Sequence, residues 1–565
     1  MPRRSTLRCL ARLFLFAATL ALQSSLLLAD EPILSPPSSA ARQDASSPSI
    51  ADADPDRYLE RALVLERERM WSAAIEVYQA ASDRWPGRAD FRHRLRLCES
   101  HYRLGRRYQD ESFRSVLLRL SLSSSLDLYD EILERIEEHY VDPVSLVPLV
   151  RRGYDNLEVA LRDPYFLDAN APRASADRVL WLRKELQKRR NALAVAHRAE
   201  ARAHLVECYE LGRRALGLAP ACVALEFVFA ASDALDDYSS YLTPDKLDDL
   251  YAVIDGNFVG LGVELKGDPL GLLLVGVIPG GPAAQAGVKT GERITKVGDT
   301  TLAGKSLDEA ASRLQGPEGT VVEIELLDVR RSASRRVRLV RRPVEVKSVT
   351  QSRIVDPLTG IGYVQLSGFQ KSSTEELHGA IAALQRQGLS FLVLDLRGNP
   401  GGLLDVAVEI ADEFLDDGVI VTTRGRAGNQ SATYRAQPGV SWRMPLALLV
   451  DHDSASASEI LAGALKDNRR AMVVGEQSYG KGSVQSIFPL RAAPAGLKLT
   501  TAKFYSPLDR SYSEHGVEPD VAIRIAKRPV GDEPGLALIE PGNPERDPAL
   551  ESAMHQAKRL MSVAR

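Results

Sequence analysis

The sequence predicts a multidomain chain: an all-α N-terminal region, a small β-rich domain inserted after it, and an α/β domain. Three observations predict this. Apolar residues keep a helical period from Asp56 to about residue 245, with no strand signal. Near Phe258 the pattern changes to short β runs between Gly and Pro turns. From Val344 to Ile525 buried-type strands alternate with helices, the pattern of an α/β sheet. Length agrees, since 565 residues at about 150 per domain ask for three or four units.

Composition narrows the class. Hydrophobic residues at 44% and charged residues at 26% exclude a mostly disordered chain, a collagen-like fibre and a multi-span membrane protein. The formal charge of −3 gives no global field for nucleic acid or anionic lipid, so neither partner is expected. Of 72 basic residues only 15 are lysine, so each lysine in an unusual setting draws interest. The four cysteines are too few and too scattered for a disulfide framework or a metal site. They read as buried thiols, with one bridge left open.

The first 29 residues read as an export signal. Arg3, Arg4, Arg8 and Arg12 precede an apolar run from Leu13 to Leu28, followed by Ala29-Asp30. Leu27 stands where a small residue is usual, so an uncleaved anchor remains an alternative to cleavage. Export places the protein in the periplasm or cell envelope, and Arg3-Arg4 hints at a twin-arginine route. Residues 30–55 are rich in Ser, Pro, Ala and Asp and read as a flexible linker.

Residues 56–125 resemble a tetratricopeptide-type helical hairpin. Ala62, Leu65, Trp71, Ala74, Ile75, Tyr78 and Ala81 form one apolar stripe, and a second helix is expected over Asp90–Tyr102. One such unit is expected to pack on the helices that follow, or to serve as a partner groove. Residues 126–245 continue as helices, with an insertion at about 146–229. The Arg-rich stretch 178–202 is interspersed with Glu and reads as a solvated helix face.

Residues 246–340 form the β-rich domain. Phe258-Val-Gly-Leu-Gly-Val-Glu-Leu265 combines β residues with glycines whose turn can leave backbone N–H groups converging on a carboxylate. Val275-Gly-Val-Ile-Pro-Gly-Gly-Pro-Ala-Ala-Gln-Ala-Gly287 and Gly291-Glu-Arg-Ile-Thr-Lys-Val297 follow in order. This set resembles a PDZ domain of bacterial proteases. The resemblance implies capture of a protein's free C-terminus, with Leu261, Gly262 and Val263 giving N–H groups to the carboxylate. A helix opened by Ser306-Leu-Asp-Glu309, a capping-box pattern, would form the other wall of the groove.

The α/β domain, residues 341–525, carries the chemical motifs. Strands are expected at Gly362–Leu366, Phe391–Leu396, Leu446–Val450 and Ala471–Val474, and helices at Ser373–Arg386, Leu403–Leu415 and Ser456–Asn468. In Val450-Asp-His-Asp-Ser-Ala-Ser-Ala-Ser-Glu-Ile460 a buried strand meets a helix N-terminus. A serine there sits at the positive helix end, where unsatisfied N–H groups favour a developing negative charge. Ser454, Ser456 and Ser458 could equally be cap residues. Downstream, Gly480-Lys481-Gly482 puts a lysine between glycines at the foot of a buried strand. Burial disfavours an ammonium, and a neutral amine can take a proton from a serine hydroxyl. Arginine cannot, because it keeps its proton. Gly475-x-x-x-x-Gly480-Lys481 mimics a phosphate loop, but Gly482 replaces the Ser or Thr and a strand follows. The turn Leu394-Asp-Leu-Arg-Gly-Asn-Pro-Gly-Gly-Leu403 can expose N–H groups as half of an oxyanion hole.

These three motifs, in this order and downstream of the PDZ-like unit, resemble the carboxyl-terminal processing (tail-specific) proteases, peptidase family S41. The resemblance implies a crotonase-like α/β core. It implies Ser456 as nucleophile, Lys481 as general base and Gln485 orienting the lysine, with Gly402 and Ala457 N–H groups as the oxyanion hole. It implies an exported serine endopeptidase that binds protein substrates by their C-terminal tails. The alternative is a non-catalytic PDZ and helical-repeat scaffold. An adaptor or activator at the N-terminal helices and a homo-oligomer stay open. The family's usual Arg before Gly316-Pro-Glu-Gly-Thr320 is Gln315 here, and Leu235-Asp-Asp-Tyr-Ser239 replaces its Leu-Asp-Pro-His-Ser. His452, flanked by Asp451 and Asp453, reads as a loop residue, since the Ser–Lys pair already supplies nucleophile and base. The nine histidines show no HExxH spacing, and no metal or cofactor is expected. Residues 526–565 read as a Pro/Gly-rich tail with a short helix, Pro548–Leu560.

Overall fold

The structure is a computed structural model that describes residues 54–305, 307–328, 333–523 and 540–563. The export signal, nearly all of the linker and residue Ser306 lie outside the described residues. Among the described residues, no helix is long and apolar enough to cross a membrane. The chain divides into two units: one holds residues 54–247 and 485–500, the other 248–484 and 501–563.

The first unit is helical. α1 (Pro55–Arg67), α2 (Trp71–Arg84) and α3 (Ala89–Gln109) open it. The single apolar stripe expected over Ala62–Ala81 is divided between two helices. The chain breaks at Arg69, which takes a left-handed φ of 57°, with no Gly or Pro to signal it. Ala62, Ala74, Ile75, Tyr78, Phe91 and Cys98 bury a small core of their own. α4 (Leu122–His139), α5 (Leu146–Ala160), α6 (Pro164–Asn170), α7 (Ala176–Asn191), α8 (Arg198–Leu216) and α9 (Pro220–Asp233) follow. α9 is apolar nearly all round and sits at the centre of this unit's main core, as such a helix must. Its mid-helix carboxylate, Glu226, is buried and ion-paired to Arg107 at 2.9 Å. Cys98, Cys208 and Cys222 are buried free thiols, and burial pushes each up to about 12. The departing motif Leu235–Ser239 forms a tight turn: Asp236 accepts the N–H groups of Tyr238 and Ser239. Ser239 Oγ accepts Thr500 N–H at 3.1 Å.

The second unit holds the β-rich domain and the α/β domain. β1 (Asn257–Gly260) and β7 (Arg342–Glu345) pair as an antiparallel ribbon. Between them β2 (Val263–Asp268), β3 (Gly271–Val277), β4 (Arg293–Val297), β5 (Val321–Asp328) and β6 (Ala333–Val340) form a sheet in that spatial order, so β2 is an edge. α10 (Leu307–Ser312) packs beside β2 and β3. Leu265, Leu272, Leu274, Ile294, Leu302, Ala310 and Ile324 fill its core.

In the α/β domain, β8 (Val349–Asp356), β9 (Ile361–Leu366), β10 (Phe391–Asp395), β11 (Leu446–Val450), β12 (Ala471–Gly475) and β13 (Val521–Ala522) form one sheet in chain order. Its strands are parallel from β9 onward. A parallel sheet is buried on both faces, and its strands read as continuous apolar runs. Alternate residues show the two faces. Leu392, Leu394, Leu446, Leu448 and Val473 pack under α11 (Ser373–Arg386), α12 (Leu404–Asp412) and α13 (Ala457–Asp467). Phe391, Val393, Ala447, Leu449 and Val474 pack under α14 (Pro548–Val563). The segment read as a tail is therefore the second layer of this domain, because Ala549, Leu550, Ala553 and Ala557 give α14 a stripe to bury.

Candidate active site

Three strand-to-loop junctions meet at the C-terminal ends of β10, β11 and β12, the usual place for a site in an open α/β sheet. After β11 the chain turns sharply and starts α13. Ser456 caps this helix with φ 58° and ψ −114°, outside the regions a non-glycine residue prefers. Such strain costs about 1–3 kcal/mol and persists only where surroundings enforce it. The enforcement is visible. Ser454 Oγ donates to Leu396 O at 2.9 Å, and Ser458 Oγ donates to Asn399 O at 2.9 Å. Ala455 N–H also donates to Asn399 O, at 3.0 Å. Of the three serines, the outer two are thus tied into the fold as cap-like groups. Ser456 stands between them, half-buried.

The Gly-rich turn after β10 lies directly against this elbow. A Cβ on Gly401 would come within 2.7 Å of Ala455 O, 2.8 Å of Ser456 Cβ and 2.9 Å of Ala457 N. Its φ of 103° also favours glycine. Gly401 O accepts Phe369 N–H at 3.1 Å, and Leu403 N–H donates to Phe369 O at 2.8 Å. In a trans peptide the N–H opposes the C=O, so Gly402 N–H points away from Phe369. Ala457 is the first residue of α13, and its N–H has no partner within the helix. Asn399 is fully buried and organises the turn: its Oδ1 accepts Gly401 N–H at 2.9 Å, and its Nδ2 donates to Leu366 O at 2.9 Å.

Lys481 follows β12 in a loop and is buried. The flanking glycines lie on the backbone of Ser513 and Glu514: a Cβ on Gly480 would reach Glu514 C at 2.9 Å, and one on Gly482 would collide with Ser513 N. Side chains at either position would push the lysine out of place.

One carboxylate ties the Ser456 elbow to the lysine loop. Glu459 accepts Ser456 N–H at 2.7 Å, Ser478 Oγ at 2.7 Å, Gly480 N–H at 2.6 Å and Lys481 N–H at 2.9 Å. Burial raises its proton affinity, against four donors that lower it. Sequence reasoning passed over Glu459. The signal was present, since Ser456-x-x-Glu459 is a capping-box spacing. Asn399 was also passed over, and Asp451 entered only as a neighbour of His452. Asp451 Oδ1 accepts Gly398 N–H at 3.0 Å and Ser454 N–H at 3.0 Å, joining the same two turns.

Gln485 lies on the strand Ser483–Pro489, with Nε2 3.5 Å from Thr500 Oγ1. His452 is exposed and lies 3.4 Å from Glu476 and 3.6 Å from Asp453.

In the β-rich domain, Leu261 O accepts Ala283 N–H and Gly262 O accepts Ile278 N–H, both at 2.9 Å. The N–H groups of Gly262 and Val263 belong to those same peptides and therefore point the opposite way. Gly262 has φ 72°, as the turn requires. Edge strand β2 and α10 stand beside each other, with a Cβ on Gly267 3.8 Å from Leu307 Cβ.

Residues 360–523 match the model of peptidase family S41, and residues 274–328 match that of the PDZ domain. The carboxy-terminal-processing protease of Bartonella bacilliformis is 39% identical over 295 residues, covering 51% of this chain and 67% of that one. The carboxyl-terminal-processing protease of Synechocystis is 34% identical over 304 residues, covering 53% and 70%. A solved photosystem II D1 C-terminal processing protease aligns over 71% of this chain and 92% of its own, at 26% identity and a TM-score of 0.39. The chain belongs to the carboxyl-terminal-processing proteases of peptidase family S41, and is a serine peptidase with a PDZ domain.

Proposed function

We propose that the protein is an exported endopeptidase that captures protein C-termini in its PDZ domain and cuts them with a Ser456–Lys481 dyad on a crotonase-like core. The observation that supports this is the packing of Gly401 onto Ser456 and Ala457, which brings the Gly-rich turn against one strained serine. Capture begins at Leu261, Gly262 and Val263, whose N–H groups receive the tail carboxylate. The tail adds to edge strand β2, and its apolar last side chain enters the groove beside α10.

At the cut site, neutral Lys481 takes the proton of Ser456 Oγ as the oxygen attacks the scissile carbonyl. The oxyanion is held by Gly402 and Ala457 N–H groups, already aimed before the charge forms. Lys481 then protonates the leaving amine. In the second half it activates the water that hydrolyses the acyl-enzyme. Glu459 fixes the backbones of Ser456 and Lys481 in one frame, which removes reorganisation from the reaction. Export rests on the basic and apolar pattern of residues 1–29.

The test uses an unstructured protein ending in apolar residues, and the same protein with its C-terminal carboxylate amidated. The wild-type chain cuts the first faster, and Ser456→Ala cuts neither. Equal cutting of both contradicts tail capture. Cutting by Ser456→Ala contradicts the nucleophile.

A further inference from the structure

Outside the site described above, one cluster of buried charge surrounds Arg397. Arg397 opens the turn that ends in Gly401-Gly402, and its side chain is only 9% exposed. Its Nε and Nη2 donate to Asp395 at 2.9 and 2.6 Å. Its Nη1 and Nη2 also donate to the two oxygens of Asp547 at 2.8 and 2.6 Å. Both carboxylates are buried. Asp395 gains a 2.7 Å bond from Tyr363 Oη. A guanidinium shared by two buried carboxylates is held firmly, because loss of any partner leaves an unpaired charge at low dielectric.

Asp547 has a second role. It precedes Pro548 and accepts the Leu550 N–H, so it is the N-cap of α14. One carboxylate therefore caps the C-terminal helix and grips the arginine of a turn 150 positions earlier in the chain. From Arg397 the backbone runs through Gly398, held by Asp451, and Asn399, held by Leu396 O, to the glycines beside Ser456. An oxyanion donor works only when its position is held, and a 1 Å error costs about 10²-fold in rate.

We propose that Asp547 is a positioning residue for the reaction: through Arg397 it makes the C-terminal helix part of the support that aims the Gly402 N–H. The proposal rests on the reading of Gly402 as an oxyanion donor. A latch that only stabilises the fold would change melting and nothing else. A positioning residue changes kcat with KM unchanged.

The test uses the full chain as wild type, Asp547→Asn and Met554→Ala. Asparagine keeps the cap and nearly the volume but loses the charge. Met554 packs on the same helix, away from the arginine. The readouts are kcat and KM on a tail-bearing protein, hydrogen exchange of the four amides of the turn 398–402 (Pro400 has none), and melting. Asp547→Asn should lose at least about tenfold in kcat, a part of the about 10²-fold full misplacement cost. It should keep its KM and exchange faster at 398–402. Met554→Ala should melt earlier with kcat retained. Unchanged kcat and turn exchange in Asp547→Asn overturns the proposal, as does an equal kcat loss in Met554→Ala. A wild-type chain that cuts nothing defeats the reading of the site instead. In that event faster exchange confined to 398–402 still supports the positioning role, and unchanged exchange overturns it.

Discussion

The turns around Ser456 and the PDZ groove use glycine in opposite ways. Around Ser456, glycines let backbone meet backbone. Gly401, Gly402 and Gly480 lie where a Cβ would strike other main-chain atoms. Every neighbouring polar side chain named above, from Ser454 to Glu459, is bonded inward. In the PDZ domain, Gly262 turns N–H groups away from Ala283 and Ile278, and among the described residues the sheet ends on edge strand β2. On the proposed reading, the first region is complete before substrate arrives and the second is completed by it. Preorganisation belongs where charge develops, and an open edge belongs where a chain of any sequence is received by its backbone.

This contrast predicts separable damage. Lys481→Arg has the largest expected effect. Arginine keeps its proton and cannot supply the neutral base, so cleavage should vanish while peptide binding, read by fluorescence anisotropy, stays within twofold. Residual cutting above a thousandth of wild type would remove Lys481 from the base role. Gly401→Ala comes next. Its Cβ would displace the serine elbow, and kcat should fall by about 10²–10³, the range for a lost oxyanion donor, with little change in KM. Gly262→Val should do the reverse, weakening tail binding about tenfold and sparing the cutting of a substrate supplied in excess. A β-branched residue at that φ costs about 1–2 kcal/mol in the turn. A fall in kcat at saturation would mean that the two regions are not separable.

The smallest effect concerns pH. Burial raises the pKa of Glu459 above its unfolded value, about 4.3. Its stabilising contribution is therefore fully present below that pH and is lost as pH rises through the folded pKa. The clamp itself needs the carboxylate, since a protonated acid loses an acceptor for the N–H groups it holds. Activity should thus fall on acidification at a pH above the ordinary glutamate range. Glu459→Gln should lower kcat and remove that acid limb. An unchanged limb would assign it to another group.

Much of this was legible in the sequence, for definite reasons. The strands of the core sheet are continuous apolar runs, so their bounds lie within a residue or two of those expected, as at Leu446–Val450. The serine elbow and glycine turns were legible because few residue types tolerate such backbone. Glu459 was legible in principle from its spacing and was passed over, since a helix cap is ordinary while a cap that also binds Gly480 and Lys481 needs the fold to be seen. The Arg397–Asp547 pair was not legible: 150 residues separate its members, and no local pattern pairs them. The break at Arg69 was invisible because an arginine, not a glycine, takes the left-handed conformation.

The central claim is that Ser456 and Lys481 are one catalytic unit apart from the groove that binds the tail. Its most direct test is cleavage of an unstructured apolar-tailed protein, followed by intact mass, for wild type, Ser456→Ala and Lys481→Ala. Both variants should bind the tail as wild type does and release no fragment. Full-rate cleavage by either variant would contradict the account.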